Sequence, residues 1–231
     1  MLVMPETITK KVNKNLLAGQ IYDVLFELLI KNELPPGTKL NIDGISKQLG
    51  VSRSPVASAF NALERDGFLK IVPQNGTFVR DLTSEELDAI YMTRAALERI
   101  VVPFAMKKAE SEFLESFRKR FEKLKNRNGA AEKDLLTFFD MDVELHQYFA
   151  SFLPEIVRRE YTIISNLTFR SRLLKLKHES KGSDVEKIIT KDVIIHVDII
   201  DAFLARDEER AAKLLEEDVT KAKNEILKFL F

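Results

Sequence analysis

The sequence predicts a mainly α protein in two parts: an N-terminal winged helix-turn-helix, made of three helices and a β-hairpin wing, and a C-terminal all-α bundle of about six helices. Three observations predict it. The first 80 residues alternate short helical patterns with tight-turn signals and finish on two apolar runs around Gln74-Asn75-Gly76. From residue 81 onward apolar residues recur at helical spacing with no strand signal between them. And the chain, 231 residues of which 45% are hydrophobic and 31% charged, can bury a core while keeping a charged surface.

In the front part Leu17, Ile21, Leu25, Leu28 and Leu29 share one helical face within residues 14–31, and Pro35-Pro36-Gly37 ends that helix in a turn. A short helix over roughly 42–49 closes at Gly50. Ser52 is placed to cap a third helix, which tolerates Pro55 in its first turn and runs to about Asp66, where Gly67 stops it. Residues 68–72 and 77–80 read as strands joined through Pro73-Gln74-Asn75-Gly76.

Thr83-Ser84-Glu85-Glu86 has the form of a capping box and opens the rear part. Six helical patterns follow, over roughly 84–108, 111–126, 131–152, 155–177, 184–205 and 208–230. Asn128-Gly129, Pro154 and the polar segment HESKGS separate them, and Pro103 is expected to kink the first. The expected domains are 1–80 and 81–231, with the boundary near residues 80–83.

The absence of cysteine excludes disulfides, thiolate catalysis and cysteine metal sites. The opening MLVMPETITKK is interrupted by Pro5 and Glu6 too soon for a secretory signal, and no apolar run approaches the ~20 residues of a membrane span. A cytoplasmic protein with no membrane partner is the expectation. Formal net charge is zero but unevenly spread: residues 1–80 hold 10 Lys/Arg against 7 Asp/Glu, and residues 81–231 hold 26 against 29. A slightly basic head on a slightly acidic body permits nucleic-acid binding by the head.

In a winged helix-turn-helix the third helix enters the major groove with its N-terminal residues at base edges. Ser52, Arg53 and Ser54 stand there in this chain. The arginine fork matches guanine O6 and N7, while serine hydroxyls and a helix N-terminus suit phosphate oxygens. Gly76 at the tip of the wing lets its backbone approach the minor groove. A Ser-Arg-Ser at a helix start is more often only a cap; the helix order and the glycine-tipped wing weigh toward DNA.

The segments IKNELPPGTKLN, ISKQLGVSRSPVASAFNALERDGFL and NGTFV resemble the signature of the GntR superfamily of bacterial transcription regulators, over roughly residues 16–80. The resemblance implies a dimer on a palindromic double-stranded operator, with DNA contact by Ser52, Arg53 and Ser54, and by Gly76 of the wing. Four positions depart from the family pattern. Ala57 and Asp43 stand where basic residues are usual, and Gln74 and Asn75 replace arginines of the wing. Fewer cations predict a shallower salt dependence. Lys47, with Lys39, Lys70 and Arg80, is a candidate for holding phosphate.

The rear part carries ionisable residues inside apolar stripes. Leu135, Phe139, Phe149 and Leu153 share a face with Asp142 and His146; Ile189, Val193, Ile200 and Phe203 with His196; Ala211, Leu215, Ala222 and Ile226 with Asp218; and Leu87, Tyr91, Leu97 and Val101 with Arg94. A lone histidine on such a stripe is usually a satisfied core residue, and a lone aspartate usually pairs with arginine. Several on four helices are most economically explained if they meet at one centre, because unpaired buried charge costs several kcal/mol. Two imidazoles and two carboxylates suit a divalent metal. His178, in HESKGS, reads as solvated.

This half resembles, more loosely, the all-helical FCD domain of GntR regulators of the FadR subgroup. Its metal-binding members show Asp-x-x-x-His, then a His, then another His 22 residues on. Here DVELH supplies Asp142 and His146, His196 follows, and Asp218 replaces the last histidine. The resemblance implies a metal centre of Asp142, His146, His196 and Asp218 for Zn, Ni, Mn or Fe, and a small organic-acid effector held with help from Arg94 or Arg170. Two alternatives stay open: a regulator with a metal-free ligand pocket, and a metal-dependent hydrolase.

Overall fold

A computed structural model describes residues 17–125, 132–179 and 185–231. The chain divides into two compact units, one ending at Thr83 and the other running from Ser84 to Phe231.

In the first unit α1 (Leu17–Ile30) and α2 (Ile42–Leu49) pack on α3 (Arg53–Arg65). Ile21, Leu25, Leu28 and Leu29 from α1 meet Val56, Ala59, Phe60 and Leu63 from α3, all buried, as the helical spacing requires. Asn41 caps α2, its Oδ1 accepting from the Asp43 amide at 2.9 Å. Gly50 closes it in the left-handed conformation. Ser52 occupies the cap position of α3, but its hydroxyl makes no capping bond. Of the two amides a cap accepts from, the second and third of the helix, Pro55 at the third has none, which leaves only that of Ser54.

Strands β2 (Leu69–Val72) and β3 (Gly76–Val79) form the wing, paired antiparallel with Val72 opposite Gly76. The hairpin loop is therefore Pro73-Gln74-Asn75, with Gln74 at φ +61° and the Asn75 amide donating to the Val72 carbonyl at 3.0 Å. Proline followed by a positive-φ residue is the type II pattern. Gly76 has φ +117°, which a side chain rarely adopts. A strand the sequence reading lacked, β1 (Lys39–Leu40), pairs antiparallel with β3 and makes the sheet order β1-β3-β2. Two residues are too few to show a period of two.

The second unit is all helix among its described residues: α4 (Ser84–Lys108), α5 (Ser111–Lys125), α6 (Glu132–Ala150), α7 (Glu155–Glu179), α8 (Val185–Leu204) and α9 (Glu208–Leu230). Helix α4 continues through Pro103 as one element. Helix α7 extends to Glu179, so the backbone at His178 is helical; the His178 side chain and the Asn128-Gly129 break lie outside the described residues, as do residues 14–16 of the first expected helix. The core gathers Phe117 and Phe121 of α5, Leu145 and Phe149 of α6, Val193, Ile200 and Phe203 of α8, and Leu215 of α9, with Phe149 stacked on Phe203 at 4.1 Å. The ionisable residues of interest lie inside this core.

Candidate metal centre and the DNA-facing head

The i, i+4 spacing on α6 sets Asp142 and His146 one turn apart, both facing α8 and α9. His196 enters from α8 and Asp218 from α9. One ligand atom from each of the four lies within 4.8 Å of all the others, and the four residues are buried. The Nε2 of His146 is 3.5 Å from both Asp142 Oδ1 and Asp218 Oδ2. The Nε2 of His196 is 2.5 Å from Asp142 Oδ1. The burial of four ionisable groups on converging stripes is thus seen in the structure.

The outer nitrogens are already engaged. His146 Nδ1 lies 2.9 Å from Glu98 Oε1, and His196 Nδ1 is 2.7 Å from the Asp192 carbonyl. With acceptors at both Nδ1 positions, each ring can keep a proton outward while its Nε2 faces the centre, a donor to the aspartates in metal-free protein and a ligand once that proton leaves, the orientation that ligating histidines adopt. Two buried atoms at the centre, His146 Nε2 and Asp218 Oδ2, have no hydrogen-bond partner. Ligands in a tetrahedral arrangement around one ion, each about 2.1 Å from it, stand about 3.4 Å apart. The 3.5 Å separations fit that requirement, and the 2.5 Å His196–Asp142 contact would have to open. The donor set fits a divalent cation of the zinc, nickel, manganese or iron kind.

Without a metal the cluster compensates its own charge. Burial opposes ionisation of Asp142, but Arg172, whose Nη1 donates to Asp142 Oδ2 at 2.5 Å, and the two histidines hold its carboxyl well below the usual range. Burial likewise raises Asp218, while His196 and His146 outweigh it and lower the carboxyl to about 2. Burial would discharge the imidazoles; Glu98 with both aspartates lifts His146 well above its ordinary value, and Asp218 with Asp142 lifts His196.

Glu98 is the hub behind His146. Fully buried, its Oε1 also accepts from Tyr161 Oη at 2.8 Å and from Arg94 Nε at 3.3 Å. Burial raises its carboxyl, and His146 and Arg94 bring it below the ordinary value. Arg94 thereby sits behind the centre, its Nη1 donating to Thr168 Oγ1 at 2.9 Å. Arg170 is buried on α7. The arginine that lines the small cavity of about 50 Å3 beside His196 and Asp218 is Arg172, with Lys175, Lys221, Phe138 and Phe139. Sequence reasoning missed Arg172 because it lies beside the stripe of Ile163, Leu167, Arg170 and Leu174, and reaches the centre only through the length of its side chain.

In the head, Ser52, Arg53 and Ser54 are exposed at the start of α3, and Lys47 is exposed in the last turn of α2. Arg53, Lys39, Gly76 and Thr77 line one groove between α3 and the wing.

Residues 17–79 match the model of the bacterial regulatory proteins of the gntR family, and residues 89–221, more than half of the chain, match the FCD domain. The chain belongs to the GntR family of transcription regulators and carries an FCD domain. The HTH-type transcriptional repressor RspR of Escherichia coli is 27% identical over 201 residues, 85% of this chain and 82% of that one. The uncharacterized HTH-type regulator YdhC of Bacillus subtilis is 32% identical over 119 residues, covering 51% of this chain and about half (53%) of that relative's length. Among solved structures, Escherichia coli McbR/YncC shares the fold at TM-score 0.73 and 18% identity, covering 93% of this chain and 99% of that one. The GntR-FCD relatives are transcription regulators rather than enzymes, which removes the hydrolase alternative. Among the described residues no helix is long and apolar enough to cross a membrane.

Proposed function

We propose that this GntR-FCD regulator acts in the cytoplasm as a homodimer on a palindromic operator, and that Asp142, His146, His196 and Asp218 hold a divalent metal that helps bind a small carboxylate effector. The convergence of two histidine Nε2 atoms and two carboxylates, with both Nδ1 atoms tied outward, carries the metal reading. When bound, the metal would supply open coordination positions for a carboxylate. Arg172 and Lys175, at the cavity, are placed to take the effector's remaining charge. At roughly 10–15 Å3 per water-sized group, the cavity suits a molecule of a few heavy atoms.

In the head, Arg53 reads a base edge while Ser52, Ser54, Lys47 and the Gly76 wing hold the backbone. An exposed apolar stripe of Met92, Ala96, Ile100 and Phe104 along α4 supports the homodimer.

Metal analysis of protein purified without chelator or added metal tests the centre. One ion per chain is expected, lost in His146→Ala and in His196→Ala, and kept in Asp218→His; stoichiometric metal in either alanine variant sinks the shared centre. Loss of specific operator retardation in Arg53→Ala tests the head. A second reading, a metal-free pocket, is favoured by the closed Arg172–Asp142–His196 chain, which already neutralises the cluster. Protein that takes up no divalent ion in calorimetric titration, yet still responds to carboxylates, would select it.

A further inference from the structure

The groove assigned to DNA contains a carboxylate. Asp43 Oδ1 lies 3.0 Å from Arg53 Nε, with both side chains more than half exposed (53% and 72%). The same groove is lined by Lys39, Gly76 and Thr77. An ion pair this exposed adds little to folding stability. Its charge is also wrong for a surface that must approach phosphates, since a carboxylate there repels the backbone. Neither stability nor raw affinity accounts for the pair.

Its geometry suits recognition. The Asp43 backbone is fixed by the Asn41 cap, so the carboxylate projects from a rigid helix start. It engages Arg53 through Nε, which leaves both Nη groups free to make the end-on fork onto guanine O6 and N7. A phosphate offers Arg53 a competing partner. If Arg53 turns to it, Asp43 is left facing DNA unpaired. The pair therefore favours the arrangement in which Arg53 keeps Asp43 while reading a base, and disfavours the one in which Arg53 serves only as a cation.

We infer that Asp43 is a specificity-determining residue of the head: it orients Arg53 for guanine and penalises binding to non-operator DNA. The inference rests on the reading that Arg53 faces the operator.

The test uses the full chain and an operator selected by it from a random duplex pool. Fluorescence anisotropy on the operator and on a scrambled duplex between about 50 and 200 mM salt gives affinities and salt slopes. For Asp43→Asn, scrambled DNA is expected to bind more tightly with its salt slope steeper by about 0.9, the value of one extra phosphate contact. The operator-to-scrambled ratio is expected to fall about tenfold, within the range a single bidentate base contact commands. Asp43→Glu should restore part of that ratio, and Asp43→Asn should change nothing further in an Arg53→Ala background. A ratio in Asp43→Asn within twofold of the parent, with Arg53→Ala defective, would overturn the role of Asp43 alone. Retained discrimination in Arg53→Ala would overturn the underlying placement of Arg53 as well.

Discussion

Glu98 shows how one buried side chain sets the chemistry of another. Its Oε1 receives the Nδ1 side of His146, and Tyr161 and Arg94 keep it charged. Replacing it by glutamine keeps the shape but weakens the acceptor and frees the His146 ring to choose its tautomer. Glu98→Gln is expected to lower metal affinity 10- to 100-fold, the usual cost of losing such an orienting partner, while Arg53-dependent operator binding of the ligand-free protein stays intact. Isothermal titration with Zn and Ni checks it, and unchanged affinity would make Glu98 merely a core ion-pair residue. The raised imidazoles predict a pH dependence for metal-free protein. A histidine whose folded value lies above its unfolded one, about 6.5, stabilises fully below that pH and loses its contribution as pH rises through the folded value. The depressed Asp142 and Asp218 carboxyls stabilise above about 3.9 and lose that contribution as pH falls toward their folded values. The apo helical unit should therefore melt highest in mildly acid solution and fall in Tm above neutrality, whereas metal binding, which needs neutral imidazoles, should tighten with pH. A flat apo melting profile from pH 6 to 9 would refute the coupled cluster. At this scale the four candidate ligands were legible because charge interrupts an apolar period. Glu98 as a hub and Arg172 as a cavity residue were not, because a helical period says which face a residue occupies and nothing about whom a long side chain reaches across it.

Helices were legible wherever a stripe was long and ended on glycine or proline: α2 begins and ends where the sequence places it, and the six rear helices fall within a few residues of their patterns. What the sequence obscured were features set by backbone partners. Strand β1 exists because β3 offers an edge, with Val79 and Thr38 bonded at 2.8 Å beyond the ladder itself. Ser52 makes no capping bond, and the proline three residues on removes one of the two amides it could accept from. Helix α4 carries a third lesson, since it has two apolar faces. One buries Tyr91, Val101 and Val102 around Arg94 and Glu98; the other leaves Met92 58%, Ile100 46% and Phe104 38% exposed, at spacings of eight and four residues. A single face accounts for packing within the unit, and the second is the face of the proposed homodimer. Ile100→Glu combined with Phe104→Glu is expected to convert a dimer to monomer in analytical ultracentrifugation without unfolding the unit, and to weaken binding to a two-half-site operator far more than to a single half-site. A variant that remains dimeric would move the interface elsewhere.

For the molecule as a whole, the proposed function requires that an event in the helical unit be sensed by the head, and the first half of that requirement can be isolated. The four candidate ligands come from three separate helices, α6, α8 and α9, which are joined by side-chain packing. An ion bound by all four stabilises only states in which the three helices are together. At a concentration 100 times its Kd it adds about 2.7 kcal/mol to that unit's resistance to opening, a factor of about 100 in the open population. Native-state hydrogen exchange resolves this helix by helix. With saturating metal, core amides around Leu145, Val193 and Leu215 should exchange about 100-fold more slowly, while those around Leu25 and Phe60 of the first unit keep their rates. Slowing confined to α6 would mean that Asp142 and His146 hold the ion without the other two helices. Slowing that extends to α1 and α3 would mean that the two units open as one cooperative body. The expected pattern leaves the head's stability untouched by metal, so any effect of the ion on operator affinity must act through the conformation or spacing of paired heads. A carboxylate effector can shift that equilibrium only by binding one arrangement more tightly than the other.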